Sequence, residues 1–307
     1  MRKFIFIFLL AIFGNYIVQA QTTQEYVFKV LASSGNNTIG KESAAAKPLK
    51  TGQKITKDDK ITLAPNSFLG LVHKSGRTLE LKTPGTYAAN DLSAKMGASQ
   101  ASFNQKYVDF VIGEMTKVEK EDANKNRHQN MGVEGKVERG EYDITLFVDK
   151  TTDALVMDTQ PLIKWHALPD TKQYKVVMVD MFDEVLFSAT TADTSIIVDL
   201  NQANLKNQTA YLLIVSSVEK PKSSSDKYSL KKLDAKSATT VHKKLADITS
   251  GTEETSLSKI IQASLLEENK LYLDALKAYE QAIALQPQVK DYQVAYQHFL
   301  QRHNLGK

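Results

Sequence analysis

The side chains best suited to chemistry are scattered singly along this chain. It has six histidines in 307 residues. His298 and His303 lie five apart, one step off the i, i+4 spacing that turns two imidazoles toward one metal on a helix. His73 stands beside the turn Lys74-Ser75-Gly76-Arg77 and reads as a surface histidine. In "EDANKNRHQN", Asp122, Asn124 and Asn126 have the alternating oxygen spacing that opens a calcium loop. Arg127 then occupies the sixth position, where glycine permits the sharp turn, and Val133 the twelfth, where a bidentate glutamate is needed. The calcium reading fails on both counts. Asp58-Asp59 and Glu253-Glu254 fall in polar turns and read as solvated charge. The chain has no cysteine, which excludes disulfides, thiolate metal sites and a thiol nucleophile. No Gly-x-Ser-x-Gly elbow, His-Glu-x-x-His helix or Gly-Lys-Ser/Thr phosphate loop occurs. The expectation is a non-catalytic protein without a metal or cofactor.

The first residues set a compartment. Arg2 and Lys3 precede the apolar run Phe4 to Phe13, and Val18-Gln19-Ala20 puts small residues at the −3 and −1 positions of a cleavage site. We assign 1–20 as a signal peptide cleaved after Ala20, so the protein is expected to be exported, periplasmic or secreted, from a bacterium. The run is short for a span of roughly 20 residues, and no stable membrane insertion is expected after cleavage. Loss of Arg2 and Lys3 takes the formal charge from +4 to +2. Such a balance, with Lys interleaved among Asp and Glu, gives no case for nucleic acid.

Three kinds of element must position whatever binds. Between 26 and 87, "YVFKVLAS", "KITL", "FLGLVH" and "TLELK" are short strands bounded by Gly, Pro, Asn and Ser turns. This pattern points to an antiparallel β-roll or barrel. Leu49, Gly52, Ile55, Ile61, Ser67, Leu71, Gly76, Leu79 and Leu81 in "PLKTGQKITKDDKITLAPNSFLGLVHKSGRTLELKTPGTY" carry a resemblance to the β-rich periplasmic domain of the FecR (ferric-citrate regulator) family. We place this unit at 21–90. Complete regulators of that family put a cytoplasmic segment and a membrane span before the domain, whereas here a signal peptide leads into it.

Residues 91–140 read as a helix and a charged, flexible linker. Phe103, Tyr107, Phe110, Val111 and Met115 share one helical face and are expected in a core. The charged, Asn-rich stretch from Lys117 to Glu141 reads as the linker.

Residues 141–233 give a second run of strands, from "YDITLFV" to "YSLKKL". Trp165, Tyr174, Leu200, Tyr211 and Val215 make this segment similar to fibronectin type III and immunoglobulin-like sandwiches. Trp165 is expected to plug the core, with His166 facing out.

From 234 to 307 the period becomes helical. Tyr272, Ala275, Tyr279, Ala282 and Pro287 resemble the second helix of a tetratricopeptide repeat, and Ala263 and Leu266 match its first helix in part. One repeat and part of another cannot bury their own apolar face. The tail must pack internally, dimerise or dock on another protein. Tyr272, Tyr279, Tyr292, Tyr296 and Phe299 are the expected protein-contact residues.

The fold class read from the sequence is therefore multidomain and mainly β, a β-roll or barrel plus a β-sandwich, with a C-terminal α-helical repeat segment. The functional expectation is an exported cell-envelope binding or scaffold module that meets another envelope protein through the helical tail. Alternatives are a FecR-like envelope sensor working with a membrane partner, and an envelope carbohydrate-active enzyme using two distant acids. The sequence assigns no oligomeric state.

Overall fold

The computed structural model describes residues 25–41, 45–96, 104–121, 144–149, 151–249 and 254–306. The leader at 1–20, Phe103 and the calcium-loop candidate at 122–133 lie outside them. The described residues form a mixed, β-rich fold with several antiparallel sheets and six helices.

Eight strands build the front: β1 (Tyr26–Ser34), β2 (Thr38–Gly40), β3 (Lys47–Pro48), β4 (Lys54–Thr56), β5 (Lys60–Leu63), β6 (Phe68–His73), β7 (Thr78–Leu81) and β8 (Gly85–Ala88). They form two antiparallel sheets, ordered β4-β1-β6-β7 and β3-β2-β5-β8, and no barrel closes. Phe28, Val30, Ile39, Ile55, Ile61, Leu69 and Leu71 fill the space between them. The departure from a barrel has a cause in β1 and β6. A small barrel leaves its outer face wet, but β6 is buried along its whole length. Its period-2 partners divide between two cores: Leu69 and Leu71 face the second sheet, while Phe68 and Val72 face a helical layer.

That layer comes from far along the chain. After α1 (Ala89–Lys95) and α2 (Gln105–Glu121), the chain passes through the middle strands and returns as α3 (Ala235–Thr249), α4 (Ser256–Glu268), α5 (Tyr272–Leu285) and α6 (Lys290–Arg302). Thr255 starts α4 with a capping box: its hydroxyl accepts from the Ser258 N–H at 3.1 Å, and the Ser258 hydroxyl accepts from the Thr255 N–H at 2.9 Å. Leu31, Phe68, Tyr107, Val111, Leu257, Ile261, Leu276, Tyr279, Tyr292 and Phe299 form one continuous core. Gly70 is the point of closest approach. A Cβ built there would stand 2.5 Å from a Leu257 methyl, so only hydrogen lets α4 settle on β6. The seam is also polar: Glu80 accepts the Ser256 hydroxyl at 2.7 Å and the Leu257 N–H at 3.1 Å, and Thr51 donates to Asp291 at 2.6 Å.

The middle strands are β9 (Ala154–Val156), β10 (Leu162–Lys164), β11 (Tyr174–Val179), β12 (Val185–Thr191), β13 (Ser195–Ile197), β14 (Ala210–Ser217) and β15 (Tyr228–Lys232). One sheet runs β12-β11-β14-β15-β9, antiparallel except for β15 against β9, and β10 pairs with β13 in a second. The two enclose Trp165, Tyr174, Val176, Met178, Leu200, Tyr211, Leu213 and Val215. Within the stretch read as the strand "YDITLFV", the described residues 144–148 make only isolated bridges, at Ile144 and Leu146. The start of the expected linker differs too, because Lys117 to Glu121 are the last turn of α2. Most of the rest of that stretch lies outside the described residues. No helix among the described residues is long and apolar enough to cross a membrane.

Candidate functional site

The aromatic stripe expected to meet a partner is inside the molecule. Tyr279, Tyr292 and Phe299 have no exposed surface, Tyr296 is buried, and Tyr272 is half-buried. Tyr292 meets Phe68 of β6 edge-on at 6.4 Å, Tyr279 lies 5.0 Å from Phe299, and Tyr272 stacks on His303 at 4.1 Å. The apolar face of these helices is covered by α2 and the front sheet. Tyr279, Tyr292, Tyr296 and Phe299 therefore pack the interior, and only Tyr272 keeps part of its ring at the surface. Burial pushes the Tyr279, Tyr292 and Tyr296 hydroxyls well above the ordinary tyrosine pKa.

The C-terminal histidines enter a closed ionic cluster. Glu114 of α2 and Glu267 of α4 are both buried, and Arg302 of α6 bridges them. Its Nε and Nη2 donate to Glu267 Oε1 at 2.9 and 2.8 Å, its Nη2 also reaches Oε2 at 3.0 Å, and its Nη1 meets Glu114. His303 Nε2 lies 2.8 Å from Glu267, and His298 Nδ1 donates to the Glu114 carbonyl at 2.9 Å. Tyr279 donates to Glu267 at 3.2 Å, and Lys117 completes the shell on Glu114. Burial alone would lift the Glu267 carboxyl. The His303 hydrogen bond and the Arg302 charge outweigh it and hold the group below the ordinary glutamate value. Every carboxylate oxygen of the two glutamates meets a protein donor, so the cluster clamps α2, α4 and α6 together. Among the described residues no group of three or more His, Asp or Glu side chains could hold a metal.

Two further polar sites are structural in the same sense. Asp274, in the first turn of α5, accepts the Met157 N–H at 3.0 Å and the Asp158 N–H at 2.8 Å. Its burial raises the carboxyl to about 6, with the two amides only partly offsetting the loss of water. Lys277, one turn on, bonds Asp158 at 2.6 Å and the Gln160 carbonyl at 2.8 Å. His73 is a correction to the sequence reading, for it is buried rather than at the surface. Its ring nitrogens meet Ser75 Oγ at 2.7 Å and Ser93 Oγ at 3.1 Å, and it packs edge-on against Phe28. Burial, then the charges of Arg77 and Lys74, push its pKa below 6.5. His166 is exposed as expected and meets the Gly306 carbonyl at 2.8 Å. Phe110 departs from its expected core place. It is 37% exposed, with the Arg302 guanidinium 5.2 Å from its ring centre.

Among the described residues the barest large apolar side chains lie on the β11–β12 hairpin. Met181 is 81% exposed, Phe182 77% and Val185 64%. Large apolar side chains this bare need a reason when they sit together. The backbone of their turn is fixed by hydrogen bonds. The Asp180 carboxylate accepts the N–H groups of Phe182 and Glu184 at 2.8 and 2.9 Å, and the Asp180 N–H donates to the Glu184 carbonyl at 3.0 Å. Asp183 takes the left-handed conformation at φ +66° and pairs with Lys227 at 2.5 Å. The sequence "MFDE" marks the turn. The Asp180 clamp that orients it was equally readable as an aspartate two residues ahead of Phe182, a spacing that side-chain-to-backbone turns use. This hairpin is the candidate functional site. A cleft of about 380 Å³ is lined by Phe147, Asp149, Asp153, Lys270 and Tyr272, but its Asp149 is already occupied by Thr151 and Thr152.

No protein-family model matches the chain, and no curated protein matches it.

Proposed function

We propose that this is a non-catalytic, exported cell-envelope protein that binds or scaffolds through protein–protein contacts, with the β11–β12 hairpin tip as its contact site. The observation that carries the proposal is the pre-set pair Met181-Phe182, bare to solvent on a turn clamped by Asp180. Burying two such side chains is worth about 3–6 kcal/mol before the cost of association. The clamped backbone lowers that cost, although the exposed Met181 and Phe182 side chains must still be ordered on binding.

The module readings belong to the same proposal. The two front sheets and their Leu-Gly-Ile pattern support a FecR-like unit, and the antiparallel α4–α5 pair supports a tetratricopeptide-like one. For the fibronectin- or immunoglobulin-like reading the support is chemical as well. The Tyr211 hydroxyl donates to the Leu205 carbonyl at 2.6 Å, the backward tyrosine contact that such sandwiches use at a strand corner. These folds present surfaces and loop ends rather than deep pockets.

Cross-linking and affinity purification from the native envelope, with the unaltered chain beside Met181→Ser/Phe182→Ser, tests the reading. The expected result is a specific partner band lost in the double variant while the fold is kept. A hydrolytic activity in the purified chain, abolished by substitution of one acid, would overturn it.

A further inference from the structure

The cleft of about 380 Å³ beside the α4–α5 turn carries a charge pattern of its own. Leu155, Leu273 and the buried Phe147 line it with apolar surface, joined by the half-buried Tyr272 ring that stacks on His303. Three charged side chains line it as well: Asp149, Asp153 and Lys270. Asp149 is engaged by the Thr151 N–H and by the Thr151 and Thr152 hydroxyls at 2.8, 2.7 and 3.1 Å. Asp153 and Lys270 are exposed, and they pair neither with each other nor with any other described residue. Small-molecule sites are commonly built this way, as an apolar concavity of at least about 300 Å³ with a few convergent polar groups.

Lys270 holds its place in the cleft against its backbone preference. It follows the C-cap Asn269 of α4, and its N–H donates to the Glu267 carbonyl at 2.9 Å while the Leu271 N–H donates to the Leu266 carbonyl at 3.0 Å. This pairing ends a helix on a left-handed residue, the place where glycine is usual. Lys270 is there at φ +60°. The other left-handed non-glycine residues among those described are Asn66, Asp170, Asp183 and Asn304, whose short side chains tolerate that conformation. The helix dipole does not account for the exception. A lysine in the last turn would gain from the dipole without strain, yet the last turn of α4 has no basic residue. The remaining role of the side chain lies in the cleft that it lines. A purely anionic guest would face two carboxylates there, and a purely cationic one would face the ammonium. A molecule with both charges beside an apolar group complements the whole lining.

We infer that this cleft binds a free amino acid with a large apolar side chain, its carboxylate held by Lys270 and its ammonium by Asp153. The site stands apart from the hairpin contact, and neither reading depends on the other. Isothermal titration of the purified chain tests it, with L-phenylalanine as the probe. Phenylacetate, which lacks the ammonium, and phenethylamine, which lacks the carboxylate, are titrated beside it. Expected is a Kd between about 10 μM and about 1 mM for L-phenylalanine, with each analogue at least about tenfold weaker. Lys270→Gly should weaken binding about tenfold while raising the thermal midpoint by about 1–3 °C, because glycine takes the left-handed conformation without strain. Asp153→Asn, at an exposed position, should weaken binding to a similar degree. A lower midpoint in Lys270→Gly with affinity unchanged would make the lysine a part of the fold alone and overturn the inference. Absence of binding up to about 10 mM, or an analogue that binds as tightly as L-phenylalanine, would overturn it too.

Discussion

Asp274 offers the sharpest test of the packing between the helical layer and the middle strands. Its carboxyl sits at the start of α5, closed off from water, with the Met157 and Asp158 amides, the Asp158 carboxylate and Lys277 around it. Burial raises it from 3.8 to about 6. Between those two values the folded chain holds a proton that the unfolded chain has released, so stability falls as pH rises through the interval and is flat above it. The stabilising contribution is fully present below 3.8 and gone above about 6. At about 1.4 kcal/mol per pH unit the whole effect is about 3 kcal/mol, of which about 2 kcal/mol develops between pH 7.5 and 4.5. The other carboxylates held below their ordinary values, Glu267 and Asp158 among them, push the opposite way as pH falls, so the raw pH profile mixes signs. Comparison with Asp274→Asn isolates the group, because any constant loss from imperfect amide bonding cancels across pH. The measurement is the urea midpoint of the helical signal for both proteins at several pH values from 7.5 to 4.5. The original chain should gain about 2 kcal/mol on the variant as pH falls. A difference that stays level, or one that grows in the variant's favour, would refute the buried-carboxylate account.

Two substitutions probe the same layer by volume. Phe299→Ala removes a ring with no exposed surface and should cost about 3–5 kcal/mol in chemical denaturation; stability unchanged, with only association altered, would restore the tail as a docking face. Gly70→Ala puts a methyl 2.5 Å from Leu257 and should cost about 1–3 kcal/mol, read as a lower thermal midpoint, because β6 is fixed by ladders on both sides and α4 must move.

The sequence was most legible where one element settles its own pattern. β11 and β14 show in their alternation, Trp165 and Tyr174 are buried between the middle sheets as expected, and the Tyr272-Tyr279 face announces a helix with one apolar side. What periodicity cannot state is the identity of the surface that covers that side. Phe68, Gly70 and Val72 alternate with Leu69 and Leu71, a continuous apolar run whose second face has no meaning until helices some 180 residues away arrive to cover it. His73 and Glu114 are ordinary polar residues in sequence. One is buried by the Ser75 and Ser93 hydroxyls around it, the other by an arginine at the far end of the chain. Gly70 was the overlooked sign, since a glycine inside a strand signals that another backbone or side chain comes close. Met181 and Phe182 at the β11–β12 turn carry the same kind of sign: two large apolar side chains left bare by the described fold call for cover from outside it.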